Sequence, residues 1–517
     1  MSYWLGLDCG GTLIKAGIYD ADGREYAIAR EPLTVESPRP GWQERDMERL
    51  WQAAVRVIRS ALAASRLPAS SIAGVGISAQ GKGLYLLDRQ GQPLGRGILS
   101  SDQRALDQVR AWQQAGLPER VYPATLQTLW TGHPVSLLAW IKANDAERYA
   151  AIGSVLMAHD FLRFRLCGEL ACEISNISES NLFDMHESRY DPALAECFGI
   201  ADIVERLPPV VGSAEVAGAI TAEAAATTGL LASTPVVGGL FDVVATALCS
   251  GVVDDTRLNA VMGTWSVTSG VSSFIRRHPT ANFVHGRHAQ AGEYIIHEAS
   301  PTSAINLEWV LRTAGGGAAV DYDAMNHAIA QLPPASSSLL FLPFLYGSNA
   351  GLGMHGCLFD MQAAHGRAHV LQAVYEGVVF SHLTHLRRMQ QCFDRVEALR
   401  VTGGPSHSDV WMQMLADASG LPVEVPEVEE TGCLGAALAA AVGGGVFSCF
   451  TEAVAALRMP LRVLVPQARD QCAYERKYQR YQHLIDCLRH FHDTEPLALS
   501  SGVPHDQTSA STRPRPT

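Results

Sequence analysis

Hydrophobic and polar positions fall into short blocks whose period changes along the chain. Tyr3–Leu7 is apolar, Gly10 and Gly11 interrupt it, and an apolar run resumes from Ile14 to Tyr19 before the turn Asp20-Ala21-Asp22-Gly23. Such a pattern predicts two strands joined as a hairpin with a glycine-rich tip. Over residues 46–62 the spacing becomes helical: Met47, Leu50, Trp51, Ala54, Val55, Ile58, Ala61 and Leu62 lie on one face, with Arg49, Gln52, Arg56 and Arg59 opposite and Asp46 placed as N-cap. A buried strand is predicted over Ile72–Ser78, and the order strand, strand, helix, strand indicates an α/β architecture.

The alternation recurs after residue 230. Strands are predicted at Thr234–Gly239, Leu258–Met262 and Leu399–Val401, helices over 368–391 and 407–420, then Pro422–Val425 and an alanine-rich helix from Gly432 to Val442. A glycine turn carrying Asp or Thr follows a strand near residue 10 and again near residue 263, as expected of two related halves facing one nucleotide. The two turns are too dissimilar to establish a repeat. A chain of 517 residues exceeds what one core supports, and the reading divides it into domains 1–250 and 251–492. The tail 493–517 lacks apolar periodicity and is expected to be disordered.

Composition narrows the partners. With 47% hydrophobic residues there is ample material for sizeable cores, and a net charge of -12 disfavours nucleic acid or an anionic membrane as partner. A nucleotide stays compatible, because backbone N–H groups and one or two local cations suffice to hold phosphate. Eleven scattered cysteines, without metal-like spacing, read as free thiols of a reducing cytosol. The start has no secretory pattern and no apolar run has membrane length, so a cytoplasmic protein is expected.

Four glycine-rich turns are the candidates for chemistry. In Asp8-Cys9-Gly10-Gly11-Thr12-Leu13-Ile14-Lys15 the glycines open the backbone to a phosphate, Thr12 adds a hydroxyl, Lys15 a cation, and Asp8 a carboxylate suited to magnesium. An ordinary hairpin can carry the same residues. Gly238-Gly239-Leu240-Phe241-Asp242 sets a carboxylate just past a strand end, as a general base requires, or as the cap of a helix from Val243 to Cys249. Gly263-Thr264-Trp265-Ser266 suits a second phosphate cradle, or a plain turn. Thr402-Gly403-Gly404-Pro405-Ser406 leads from strand to helix and can pass a nucleotide's face. Neither a Rossmann fingerprint nor a Walker loop is present.

The joint order of these motifs resembles the FGGY carbohydrate kinases, from about residue 3 to residue 490. Gly41-Trp42 with Glu44 and Trp51, Gly76-Ile77-Ser78-Ala79-Gln80, Asp102 with Arg104, Leu342-Pro343-Phe344, and Glu430-Thr431-Gly432 with Gly435-Ala436-Ala437 extend the likeness. Within that family the chain looks most similar to the L-xylulose (3-keto-L-gulonate) kinases. The stretches that carry this are Ser78–Gly83, Leu99–Asp102, Thr128–Pro134 and Gly347–Gly351. The resemblance implies two actin-like (ribonuclease H-like) domains with the active site in the cleft between them, MgATP as phosphoryl donor, and a small ketose as acceptor. By position it makes Asp242 the catalytic base and Asp8 the acidic residue near magnesium. It assigns Gly10, Gly11, Thr12 and Lys15 to the first phosphate loop, Gly263 and Thr264 to the second, and Gly403, Gly404 and Ser408 to the adenosine turn. Gln80, Lys82, Asp102, Arg104 and His133 are then expected to face the sugar.

Some positions depart from the family pattern. Gly81-Lys82 stands where xylulokinases have Met-His, Ser100 where many members have Trp, and Leu137 where a Lys is usual. D-xylulose specificity therefore does not transfer. Lys82 could pair with a substrate carboxylate, favouring 3-keto-L-gulonate, or bond sugar hydroxyls or face solvent. Kinases for another ketopentose or a polyol (ribulose, D-xylulose, xylitol) and a sugar-independent actin-like ATPase are the alternatives. The polar set Gln80, Asp102 and Arg104 argues against the ATPase. Oligomeric state stays open, a homodimer included.

Overall fold

The computed structural model describes residues 2–278, 282–314, 321–351, 354–428 and 430–494; the predicted disordered tail lies outside them apart from its first two residues, which end a helix, Ala468–Thr494. Two seven-stranded mixed sheets organise the chain. In the first, Tyr3–Cys9 pairs antiparallel with Leu13–Tyr19, and that strand with Glu25–Pro32. On its other side Tyr3–Cys9 pairs in parallel with Ile72–Ala79, and that strand in parallel with Pro235–Val237. The second sheet repeats the plan. Arg257–Met262, Ser266–Ser272 and Tyr294–Ser300 form the antiparallel meander, and Ala398–Thr402 then Val423–Pro426 add in parallel. The repeat hidden in the sequence is thus present in strand order and direction.

Most predicted elements form close to their expected bounds. The first helix spans Met47–Ser65, with the Asp46 carboxylate accepting from the Arg49 N–H as its cap. The long helix of the second half runs Arg367–Gln390, and the alanine-rich one Thr431–Gly443. The predicted strand Thr234–Gly239 is instead broken into Pro235–Val237 and Leu240–Phe241. Gly239 is the cause: its φ is +102°, and a Cβ there would lie 2.4 Å from the Ile77 carbonyl oxygen, so the chain turns sharply where only glycine fits. The predicted helix 407–420 begins later, at Asp409, after a short 3-10 turn over Gly404–His407.

The lobes are joined by exchanged helices. Thr431–Gly443, which follows a second-sheet strand, packs on the first sheet. Cβ atoms on Gly6 and Gly76 would fall 1.8 Å and 2.0 Å from the Cys433 and Ala436 carbonyl oxygens. Bare glycine backbone on adjacent strands is what lets the helix seat. Beside it runs the first-lobe helix Asp242–Cys249, whose Val244, Ala245 and Leu248 share a buried core with Val271 and Ile295 of the second sheet. This apolar core sets the ends of both helices at one cleft.

Candidate active site

The first glycine turn is braced from beneath. Gly10 N–H donates to the Leu13 carbonyl at 2.9 Å, closing the tip. Arg45, only 2% exposed, donates from its guanidinium to the carbonyls of Gly10 and Gly11. Anchoring the carbonyls inward leaves the opposite side of the loop for an anion. Asp8 and Lys15 are register partners on the two strands, 4.0 Å apart. The Lys15 ammonium also reaches Glu430 of the second lobe at 2.7 Å. Burial pushes Asp8 up to about 6, Lys15 opposing and Glu430 reinforcing the rise.

Asp242 is the first residue of its helix, and the N-cap is Phe241, with no side-chain capping bond. The capping alternative is therefore set aside. Its neighbour Phe241 is fixed by an N–H bond to Ser175 Oγ at 2.9 Å. Burial, then the charge of Asp8, raise Asp242 to about 7, against the pull of the Val243 N–H and Lys82. Two carboxylates that each resist ionisation thus share one end of the cleft.

Among the residues expected to face the sugar, Lys82 adopts φ +63° and its ammonium donates to Glu179 at 2.5 Å. Glu179, wholly buried, also accepts from His297 Nε2 of the second lobe at 2.9 Å. Burial alone would raise this carboxyl; His297 and Lys82 outweigh it and hold Glu179 at about 2. Asp102 and Arg104 form a closed unit rather than two free groups. Asp102 accepts from Gln43 N and from Arg104 N and Nε, while Arg104 also donates to Glu44 and stacks on Trp42 at 3.9 Å. Gln80 is tied by its backbone N–H to the Cys9 carbonyl at 3.0 Å, and its side-chain Nε2 is buried without a hydrogen-bond partner among the described residues. His133 sits next to the Gly81–Gly83 turn, since Gly83 N–H donates to the Gly132 carbonyl at 3.0 Å.

The second lobe contributes the remaining turns. A Cβ on Gly403 would lie 2.3 Å from the Met262 carbonyl oxygen, so this turn abuts the one that carries Gly263 and Thr264. The Gly263 carbonyl accepts from Ala304 N–H at 3.0 Å. Behind Ser266, buried His382 and His385 bond to Ser266 and Ser300; burial holds both imidazoles near 3, so they brace the turn as neutral groups. Gly404 has open space where a Cβ would be. Ser408 caps the helix Asp409–Ser419 through Trp411 N–H and donates its hydroxyl to Asn326. Trp265, which follows Thr264, meets Trp130 of the first lobe edge to face at 6.1 Å.

Arg45, Glu179 and His297 are the groups that sequence reasoning missed. Glu179 lies in Ser175–Asn181, a polar run that looks like surface loop but is buried throughout. Arg45 adjoins the noted Glu44 yet carries no local signal of its partner loop. Among the described residues no cluster of three or more His, Cys, Asp or Glu is placed to hold a metal on its own. Asp8 with Asp242 nonetheless suits a magnesium ion, which takes one or two carboxylates and completes its shell with phosphate and water. Such an ion would relieve the strain that raises both carboxyls.

Comparison with known proteins agrees with this geometry. Residues 3–249 match the FGGY family of carbohydrate kinases, N-terminal domain, and residues 258–444 its C-terminal domain. The chain is 60% identical over 490 residues, 95% of its own length and 98% of the relative's, to the L-xylulose/3-keto-L-gulonate kinase of Escherichia coli (strain K12). It is 54% identical, over 95% and 99% of the two lengths, to a protein of Pasteurella multocida (strain Pm70) named "Probable L-xylulose kinase". The crystal structure of xylulose kinase from Rhodospirillum rubrum superposes with a TM-score of 0.87 at 25% identity, covering 95% of this chain and all of that one. The chain belongs to the FGGY family of carbohydrate kinases, enzymes that use ATP, and its two actin-like lobes enclose the active-site cleft.

Proposed function

We propose that the protein transfers the γ-phosphoryl of MgATP to the terminal hydroxyl of L-xylulose or 3-keto-L-gulonate, with Asp242 as general base, in the cytoplasm. The observation that carries this is Asp242 itself. It is uncommitted to helix capping, lies beside Asp8, and is raised to about 7, where a base is poised for work near neutral pH. The two relatives reported above are named for these ketoses, which supports the choice of substrate.

In this reading the lobes, divided near residue 250, close on both substrates. Gly10 and Gly263, their own N–H groups closing the two turns, open the backbone so that the N–H groups of Gly11 and Thr264 hold phosphate with Thr12 and Lys15, and Gly403, Gly404 and Ser408 hold adenosine. Magnesium, held through Asp8, would neutralise phosphate charge. Asp242 takes the proton of the sugar hydroxyl as its oxygen bonds to the γ-phosphorus and the bond to the β-phosphate oxygen breaks, releasing ADP. Positioning and electrostatics supply most of the rate in such loose transition states. Gln80, Lys82 and His133 line the sugar side, while Asp102 and Arg104 stiffen it through Gln43, Glu44 and Trp42.

A panel of ketoses and polyols assayed by coupled ADP release tests this directly. L-xylulose and 3-keto-L-gulonate are expected to lead. Equal turnover without any sugar would overturn the reading in favour of a sugar-independent ATPase.

A further inference from the structure

Glu173 is a wholly buried carboxyl that takes no part in the proton or phosphoryl transfer proposed for Asp242. Its two oxygens accept four bonds. Oε1 takes the Ser175 N–H at 2.8 Å and the Ser213 hydroxyl at 2.6 Å. Oε2 takes the Ser175 hydroxyl at 2.7 Å and the Asn176 N–H at 3.2 Å. A carboxylate offers about four acceptor sites, and with all of them filled this one is ionised. Burial opposes that charge, but the His159 ring and these donors outweigh it and hold the carboxyl below its ordinary range. Helix capping accounts for the two N–H bonds, since Glu173 is the N-cap of the single turn Ile174–Ile177. It leaves the two hydroxyls unexplained.

Both hydroxyls lead to the turn that carries Asp242. Ser175 has one hydroxyl proton, which goes to Glu173, and its Oγ accepts the Phe241 N–H at 2.9 Å. Ser213 gives its hydroxyl to Glu173, and its carbonyl accepts the Gly239 N–H at 3.0 Å. The next residue along from Ser175 reaches the other turn: Asn176 Oδ1 accepts the Lys82 N–H at 2.9 Å, where the backbone has φ +63°. The two turns also touch, because a Cβ on Gly81 would run into the Phe241 ring. One ionic anchor thus ties down the backbone on either side of that contact.

A general base must stand within hydrogen-bond reach of the proton it removes, and a 1 Å misplacement can cost about 100-fold. Charge on the last acceptor strengthens each bond of a chain that runs from N–H to hydroxyl to carboxylate. We infer that Ser175 and Glu173 are positioning residues for the base: the Glu173 carboxylate orients the Ser175 hydroxyl, whose oxygen holds Phe241 N–H and so sets Asp242 against the Lys82 turn. This rests on the kinase reading above.

Kinetics with L-xylulose and MgATP test it. Ser175→Ala is expected to lower kcat roughly 10- to 100-fold while KM for MgATP changes less than about 3-fold. Ser175→Thr, which returns the hydroxyl, should recover most of the loss. Because the serine acts through the base, Ser175→Ala placed in an Asp242→Ala background should lower turnover further by less than about 2-fold. A serine that merely stabilised the lobe would cost the same factor in both backgrounds, and that result would overturn the inference. So would an unchanged kcat in folded Ser175→Ala protein. Ser175→Cys keeps the side-chain shape with a poor acceptor, and it takes the place of Ser175→Ala in both backgrounds if the alanine variant does not fold. Glu173→Gln cannot accept all four donors and should lose a similar factor in kcat, adding little to Ser175→Ala in the double variant. Fully additive losses would contradict a relay through the hydroxyl. Failure of the wild type to phosphorylate any ketose would instead strike at the kinase reading, which keeps the two outcomes distinct.

Discussion

At the scale of residues, charge balance decides more than charge count. Lys82 is neutralised by Glu179 at 2.5 Å, so no lone cation awaits a substrate carboxylate. Lys82→Met is accordingly expected to lower kcat/KM for L-xylulose and for 3-keto-L-gulonate by the same factor, within about 3-fold, as for a lost hydrogen bond and not a lost ion pair. A selective loss on 3-keto-L-gulonate would restore charge pairing. The carboxylates set the pH behaviour. Asp242 and Asp8 are raised to about 7 and about 6, so activity that needs the base ionised should fall as pH drops through about 7. The stability effect runs in the other sense. A carboxyl raised on folding stabilises most below its ordinary value of 3.8, and that contribution is lost as pH rises through 6 and 7. Glu179, held near 2, stabilises above its ordinary 4.5 and loses this as pH falls towards 2. Thermal unfolding of Asp242→Asn between pH 4 and 8 should therefore show a flatter decline than wild type. An identical slope would show that Asp242 does not titrate there.

At the scale of elements, glycine positions do what periodicity cannot reveal. The strands Tyr3–Cys9 and Ile72–Ala79 read as plain apolar runs, yet Gly6 and Gly76 exist to receive a helix more than 350 residues away in the chain. Gly76→Ala should cost about 3 kcal/mol, at the upper end for overpacking, because the obstacle is a helix carbonyl and not a flexible side chain. Chemical denaturation would measure it, and a loss below about 0.5 kcal/mol would mean that the helix seats elsewhere. Regular elements were legible because amphipathic spacing reports one buried face, as in Met47–Ser65. The break at Gly239 was not, since a positive φ leaves no trace in hydrophobic pattern.

At the scale of the molecule, the glycine turns near 10 and 263 hinted at two related halves without establishing a repeat, and the two sheets share the same strand order. The turns near 10, 242, 263 and 403 stood out as candidates because glycine beside Asp, Thr or Ser interrupts or follows a strand. Glu179–His297 was not readable: the pair joins the lobes across 118 positions, and each member has an ordinary local context. Trp130 against Trp265 is a second contact of this kind between the lobes.

The most direct measurement is single-variant kinetics of Asp242→Ala with L-xylulose and MgATP, alongside ATP affinity by titration. Turnover should fall roughly 10²- to 10⁴-fold with ATP affinity little changed, as for removal of a general base. Wild-type turnover in a correctly folded Asp242→Ala protein would contradict the mechanism.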